Sequence, residues 1–287
     1  MSNLYNALGA LLHPTTIFGE VFDGNGVALP PYLALPVMKG VNHRGFCTEA
    51  PENTLPAYIL SYLNGFKFVE TDISFTSDDV PVLLHDSTID RTSDGTGNIN
   101  DLTFAQVREY DFGSWFSADY AGTKIPSLVE FLVLCRNLGL HPYLELKNTT
   151  SYTTAQLQKI VDMVEQYGMK GKVTYISFSD SYLQTIVSYD EYARVGFLSS
   201  SVSSTVVNKA VALRTGKNLV FLDSSAYGSS AIELCEAAHL PLEVWTLDNA
   251  TTIAGLNAYI SGVTSNDKNA GFIKLAKTLE DNPLPSA

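Results

Sequence analysis

The sequence predicts an α/β fold of the TIM (β/α)8 barrel class, with a small insertion after the second strand. Three observations predict it. The chain has 287 residues, close to the roughly 250 that one such barrel needs. Short apolar runs alternate with longer amphipathic segments along most of its length, the signature of parallel strands joined by crossover helices. No GxGxxG follows the first strand, which disfavours the open, doubly wound alternative.

The strands are expected at Met38–Asn42, Phe66–Phe75, His141–Leu146, Lys172–Phe178, Ala193–Leu198, Asn218–Leu222, Leu242–Leu247 and Gly262–Ser265. Helical periodicity falls between them, at Thr54–Asn64, Ser127–Leu138, Thr153–Gly168, Ser181–Asp190, Ser229–His239 and Thr251–Tyr259. The run Val80–Leu84 extends the second strand as a hairpin. From His85 to about Lys124 the rhythm breaks into polar, Gly- and aromatic-rich sequence with one short helical stretch, Thr103–Tyr110. A segment this long inside a compact domain usually carries function, and the insertion is placed at about 86–124, over the C-terminal mouth. Residues 1–38 carry four prolines and two charges, Glu20 and Asp23. They are expected to form an N-terminal extension, packed over the barrel or docking a protein partner, ahead of a barrel spanning 39–287.

Composition bounds the partners. The hydrophobic share of 45% against 17% charged residues suits a chain with a large buried core. A net charge of -12 opposes long-range attraction to nucleic acid or anionic membrane, but one phosphate can still be held by local cations or a metal ion. Cys47, Cys135 and Cys235 form no CxxC pair and read as unpaired thiols. No apolar run reaches the ~18 residues of a membrane span, so stable membrane insertion is not expected. Lys39 is the first basic residue, so the basic start of a signal peptide is missing and a cytoplasmic location is expected.

The strongest local signal is Val69-Glu70-Thr71-Asp72-Ile73. Residues two apart on a strand share a face, so Glu70 and Asp72 project together from an apolar strand, which is costly without a compensating cation. Glu145 and Lys147 repeat the pattern at the end of His141–Leu146. Three carboxylates from two strands suit one hard divalent cation, Ca²⁺ or Mg²⁺, with Lys147 beside it for a phosphate oxygen. A plain Glu145–Lys147 ion pair is the simpler reading of either strand alone. His43 with Arg44 and His85 with Asp86 fall at strand ends, where barrel enzymes place their chemistry. Imidazoles suit proton transfer near neutral pH, Asp86 can orient one of them, and Arg44 offers a permanent charge. His13, His141 and His239 are read as structural.

These residues sit within His43-Arg44-Gly45, Glu52-Asn53-Thr54, Glu70-Thr71-Asp72, the segment Pro81 to Asp86, Asp90-Arg91-Thr92, Ile125-Pro126-Ser127-Leu128, Glu145-Leu146-Lys147 and Val244-Trp245-Thr246. In order and spacing they resemble the glycerophosphodiester phosphodiesterase family of PLC-like TIM barrels, from Gly40 to about Lys274. The resemblance implies His43 and His85 as the catalytic acid–base pair and Glu70, Asp72 and Glu145 as ligands of a divalent cation. It implies Arg44 and Lys147 as phosphate contacts, and Glu52 as a support behind them. Asn53 or Thr54 is expected to cap the first helix, with Pro56 in its first turn. Trp245 matches a mouth-lining aromatic against the glycerol, with a barrel-core tryptophan as the equal alternative.

The implied activity is metal-dependent hydrolysis of a small glycerophosphodiester to glycerol 3-phosphate and an alcohol. Rival substrates are a glycerol-phosphate polymer such as teichoic acid, or lysolipids cut in the manner of phospholipase D toxins. A barrel kept as a binding protein without chemistry should have lost site residues, and each of them is present. The extension before Met38 and the looser closing segment, Gly262 to Asp267, depart from the family pattern. Phe112, Trp115, Phe116 and Tyr120 are expected either to shape alcohol choice or to form the insertion's own core.

Overall fold

A computed structural model describes residues 38–147 and 151–267. Its strands are β1 (Lys39–Asn42), β2 (Phe68–Phe75), β3 (Pro81–Leu83), β4 (His141–Leu146), β5 (Thr174–Ser177), β6 (Arg194–Ser199), β7 (Leu219–Ser224), β8 (Leu242–Val244) and β9 (Ile260–Ser265). Eight of them run parallel in the order β1-β9-β8-β7-β6-β5-β4-β2, and β1 pairs back onto β2 through Val41↔Phe68 and Asn42↔Val69. That last pairing closes the barrel. β3 lies outside the ring, antiparallel to β2 through Ile73↔Leu83, as the expected hairpin.

The helices are α1 (Leu55–Leu63), α2 (Phe104–Val107), α3 (Leu128–Leu138), α4 (Thr154–Gln166), α5 (Asp180–Tyr189), α6 (Ser204–Ala212), α7 (Ser229–Ala237) and α8 (Ala250–Ala254). Several of their starts follow from side-chain chemistry. Ser127 with Glu130 and Thr153 with Gln156 form reciprocal capping boxes, each replacing two backbone bonds that a helix start lacks. Gly139 ends α3 in the left-handed conformation, φ 67°, which glycine adopts without steric cost. The last helix stops at Ala254, well short of the expected Tyr259; Gly255 closes it in the right-handed conformation and a turn from Asn257 to Ile260 follows. Among the described residues no helix is long and apolar enough to cross a membrane.

Two layers of core hold the barrel. Outside, Val69, Ile73, Leu144, Val195 and Leu222 pack against helix residues such as Phe131, Ile160 and Ile186. Inside, Val41, Tyr143, Ile176, Leu198 and Phe221 fill the ring. Gly196 permits that filling, since a Cβ there would stand 2.4 Å from the Phe221 ring. Below the mouth Glu243 pairs with Lys39 and accepts from the Tyr143 hydroxyl at 3.0 Å.

The insertion has its own small core of Val82, Leu84, Ile89, Ile99, Val107, Phe112 and Ile125. Cys135 and Cys235 are buried free thiols, and Cys47 is half-buried. The expected N-terminal arm, Met38 apart, lies outside the described residues, as does His13.

Candidate active site

The site is assembled at the C-terminal ends of β1, β2 and β4. After β1 the chain turns sharply through Arg44 (φ 54°) and Gly45 (φ 78°). A Cβ on Gly45 would stand 2.8 Å from the Cβ of Ala57, so this turn requires glycine for both space and backbone angle. The turn aims the Arg44 N–H at Glu70 Oε2, 3.0 Å away, and leaves His43 at the rim.

Glu70 and Asp72 share the inner face of β2, as the alternation predicts. Glu145 is the Cα partner of Asp72 on β4. One oxygen from each of the three lies within 4.8 Å of the other two. Among the described residues, Glu70 Oε1 and Asp72 Oδ1 are buried without a hydrogen-bond partner, although Lys147 Nζ forms an ion pair 3.0 Å from the latter. Lys147 also stands 3.2 Å from Glu145 Oε1. The plain Glu145–Lys147 ion pair of the simpler reading is present, and it shares its lysine with the buried Asp72.

The electrostatics divide the three carboxyls. Asp72 is held well below the usual carboxylate range, because Lys147 and Arg44 outweigh the burial that would raise it. Burial, then repulsion from Asp72 and Glu145, pushes Glu70 well up. Burial and Asp72 push Glu145 up to about 7 against the pull of Lys147. Three such groups crowded together resist full ionisation unless a further cation joins them. An all-oxygen donor set with orphaned buried oxygens fits a hard divalent ion.

The histidines each have an anchored Nδ1. His43 Nδ1 lies 2.9 Å from Asn266 Oδ1. Asn266 donates its Nδ2 to Asp248 Oδ2 at 2.8 Å, which fixes the amide oxygen toward His43. His43 therefore carries its proton on Nδ1 and presents Nε2, 3.9 Å from Glu70. Burial and the Arg44 charge lower its pKa. His85 Nδ1 lies 2.7 Å from Asp86 Oδ1, a contact that restricts rotation of the ring.

Two residues gain roles that the sequence did not suggest. Asn53 does not cap α1: it takes φ 56°, donates to Asp72 Oδ2 at 2.9 Å and accepts from Thr71, Tyr58 and the Asp72 N–H. Thr54 occupies the cap position without a side-chain cap bond, its hydroxyl donating instead to Pro51 O. Arg91 donates to Asp86 Oδ2 at 2.6 Å and to both Glu52 oxygens at 2.8 Å. Glu52 in turn accepts from Arg44 NH1 at 3.0 Å. A continuous chain Arg44–Glu52–Arg91–Asp86–His85 thus ties one phosphate-contact candidate to one imidazole.

A cavity of about 190 Å³ joins His43, Arg44, His85, Glu145 and Lys147 to an apolar wall that includes Phe178 and Trp245. Trp245 follows β8, the seventh parallel strand, and stands edge-on to Phe178 with ring centres 5.5 Å apart. It lines the cavity and packs against the inner core. Trp115, Phe116 and Tyr120 stack edge to edge within the insertion, and Phe112 is buried in its core. None of these four lines the cavity.

The geometry can be set beside known proteins. Glycerophosphodiester phosphodiesterase 1 of Homo sapiens is 41% identical over 140 residues, covering 46% of this chain and 42% of that protein. The chain thus spans less than half the length of the first curated relatives it matches. Glycerophosphodiester phosphodiesterase of Bacillus subtilis is 31% identical over 176 residues, covering 58% of this chain and 57% of that one. The crystal structure of glycerophosphodiester phosphodiesterase from Agrobacterium tumefaciens superposes with a TM-score of 0.68 at 26% identity, over 82% of this chain and 98% of that one. An Oleispira antarctica phosphodiesterase solved with the product sn-glycerol-3-phosphate gives 0.71 at 23% identity, over 87% and 98%. The family model described as the glycerophosphoryl diester phosphodiesterase family matches residues 43–268. With that match covering most of its length, this chain belongs to the glycerophosphoryl diester phosphodiesterase family.

Proposed function

We propose that the chain hydrolyses small glycerophosphodiesters to glycerol 3-phosphate and an alcohol, with residues 39–287 as the catalytic unit and Glu70, Asp72 and Glu145 holding one divalent cation. The observation that carries this reading is the convergence of three carboxylates within 4.8 Å at a rim that also bears two anchored imidazoles. A cation bound there would draw charge from the phosphoryl oxygens as it builds in the transition state.

The chain's own groups do the rest. Arg44 and Lys147 line the cavity with permanent positive charge for the non-bridging oxygens. His43, neutral and with Nε2 free, takes the proton of the attacking oxygen. The new P–O bond forms, the P–O bond to the alcohol breaks, and His85 in its protonated form passes a proton to the departing oxygen. Asp86 holds the His85 ring while it changes charge. Trp245 and Phe178 keep water from one wall of the cavity.

Its volume of about 190 Å³ falls below the ~300 Å³ at which pockets for drug-sized ligands begin. A space of that size suits one glycerophosphodiester unit. The test is release of glycerol 3-phosphate from glycerophosphocholine by the full chain, with Mg²⁺ or Ca²⁺ and with chelator. Release that needs the metal and disappears in His43→Ala and His85→Ala is expected. Equal release with chelator would remove the cation from the proposal, and no release from any glycerophosphodiester would remove the activity.

A further inference from the structure

Two backbone groups at the catalytic rim meet through a side chain that the chemistry above leaves unused. The pairing of β2 with β4 ends at Ile73↔Leu146. Just there the Tyr152 hydroxyl accepts from the Lys147 N–H at 3.2 Å and donates to Ile73 O at 2.5 Å. One oxygen atom thus joins the residue after Asp72 to the residue whose ammonium reaches back to Asp72 Oδ1, 3.0 Å away. On the other side of β4 the Ser177 hydroxyl donates to Leu146 O at 2.6 Å. Hydroxyl groups therefore tie the end of β4 to both neighbouring strands.

Tyr152 is firmly held where it does this. It is buried in the outer core, with its ring edge-on to Phe75 and Tyr182 at centre distances of 5.9 and 5.3 Å. It immediately precedes Thr153, the cap of α4. The first turns of α4 are fastened to the β2–β3 hairpin, since Gln156 Nε2 and Lys159 Nζ both donate to Asp79. The hydroxyl therefore approaches the rim from a fixed direction. Beyond Ile73, β2 continues with β3 through Ser74↔Val82, and β4 ends at Leu146. Among the described residues no further ladder bond sets the distance between the two rims.

We propose that Tyr152 is a positioning residue of the cation site, whose hydroxyl sets the spacing of the β2 and β4 rims and with it the separation of Asp72 from Glu145 and Lys147. The inference rests on the cation site proposed above. A hard divalent ion takes its oxygen ligands at about 2.0–2.6 Å, so a small displacement of one rim against the other costs affinity. Without the Tyr152 oxygen, the Lys147 N–H and the Ile73 carbonyl either draw together to bond directly or stay unpaired in a buried place. Both results move the backbone that carries the carboxylates. Phenylalanine at 152 would keep the ring and its packing, so the hydroxyl can be tested by itself.

The experiment titrates Mg²⁺ and Ca²⁺ calorimetrically into the metal-free full chain, as wild type, Tyr152→Phe and Tyr175→Phe. Tyr175 lies in the same apolar cluster, and its hydroxyl has no hydrogen-bond partner among the described residues. It therefore carries the same chemical change away from the rim. The dissociation constant belongs to the folded molecules and the stoichiometry reports their fraction, so a merely structural role for Tyr152 leaves the constant unmoved. Tyr152→Phe is expected to bind about tenfold more weakly, the lower end of what partners orienting metal ligands contribute, and Tyr175→Phe to bind as the wild type does. The Lys147 amide gives a reading that needs no variant: in the wild type it should exchange slowly with solvent deuterium, and exchange at the rate of an open amide would overturn the inference. So would a Tyr152→Phe constant within about threefold of wild type, or an equal loss in Tyr175→Phe. These outcomes leave the phosphodiesterase reading intact, whereas a wild type that binds neither cation overturns the cation site and the inference together.

Discussion

Asp72 and Glu145 face each other as Cα partners on adjacent parallel strands, and Lys147 bridges them at 3.0 and 3.2 Å. One lysine between two carboxylates, with Glu70 two residues from Asp72, leaves the cluster short of positive charge. The excess acidity is built into the register of β2 and β4, and its consequences can be measured.

Removing one carboxylate should weaken cation binding while relieving repulsion in the metal-free protein. Glu70→Gln and Glu145→Gln are expected to lower affinity for Ca²⁺ or Mg²⁺ beyond the about 10–100-fold typical of losing an outer-shell partner. In chelator, their melting temperatures should equal or exceed the wild-type value, because burial and neighbouring charge already disfavour the ionised forms. Calorimetric titration and thermal melts check both halves. A melt that fell well below wild type would show that the carboxylates stabilise the fold on their own.

Each imidazole should matter to rate and little to folding. His43→Ala and His85→Ala are expected to lower kcat by about 10²–10⁴-fold, with melting temperatures within a few degrees of the wild type. Rates within a few-fold of wild type would sink the proton-transfer roles.

The buried His43 also makes a pH signature. Its pKa in the fold is lowered, first by burial and then by Arg44, so the unfolded chain binds the proton more readily. Unfolding free energy should then rise with pH through the window from the folded pKa up to the ordinary value near 6.5. The contribution is complete above 6.5 and lost as the pH falls through the folded pKa. In chelator the raised Glu70 and Glu145 contribute a slope of opposite sign. The His43 contribution is therefore read as the difference in urea unfolding between the wild type and His43→Asn across pH 5–8, which should rise with pH.

Arg91 is half-exposed, yet it holds both Asp86 and Glu52. Arg91→Ala is expected to lower kcat about tenfold, in keeping with the loss of an orienting partner, and to leave stability within about 1 kcal/mol, the usual worth of surface ion pairs. Arg91→Lys, which cannot span both carboxylates with a planar fork, should recover only part of the rate. Steady-state kinetics on the same diester read the difference.

Gly45→Ala tests the turn that aims Arg44. With φ 78° and Ala57 Cβ 2.8 Å from the added methyl, destabilisation by about 1–3 kcal/mol is expected, along with a loss of rate as the Arg44 amide leaves Glu70.

What was legible in the sequence was whatever local periodicity encodes. The alternation Glu70-Thr71-Asp72 announced a shared face, and Ser127-x-x-Glu130 announced a helix start. What stayed hidden depended on distant partners or on ambiguous local chemistry. Arg91 sits in a Gly- and Ser-rich stretch and finds Glu52 39 residues earlier. Asn266 meets His43 across 223 residues, because barrel closure brings the two ends of the ring together. Asn53 looked like a helix cap, since asparagine serves either purpose, and only the fold turns it toward Asp72. Helix α6 (Ser204–Ala212) escaped because Thr205, Val206 and Val207 are β-branched and favour strands locally.

The insertion leaves and rejoins the barrel through adjoining backbone. Leu84 N–H bonds Asp72 O at 3.1 Å, Leu83 N–H bonds Pro126 O at 3.0 Å, and Val82 bridges Ser127. Departure and return points are thus neighbours, and everything between them folds on a separate nucleus of apolar side chains. Beyond Arg91, which is tied to Glu52 and Asp86, such a segment has the architecture of a cassette, whose changes in length fall outside the ring that carries it. Variation in this cassette can retune access to the mouth while the carboxylate cluster stays fixed beneath it.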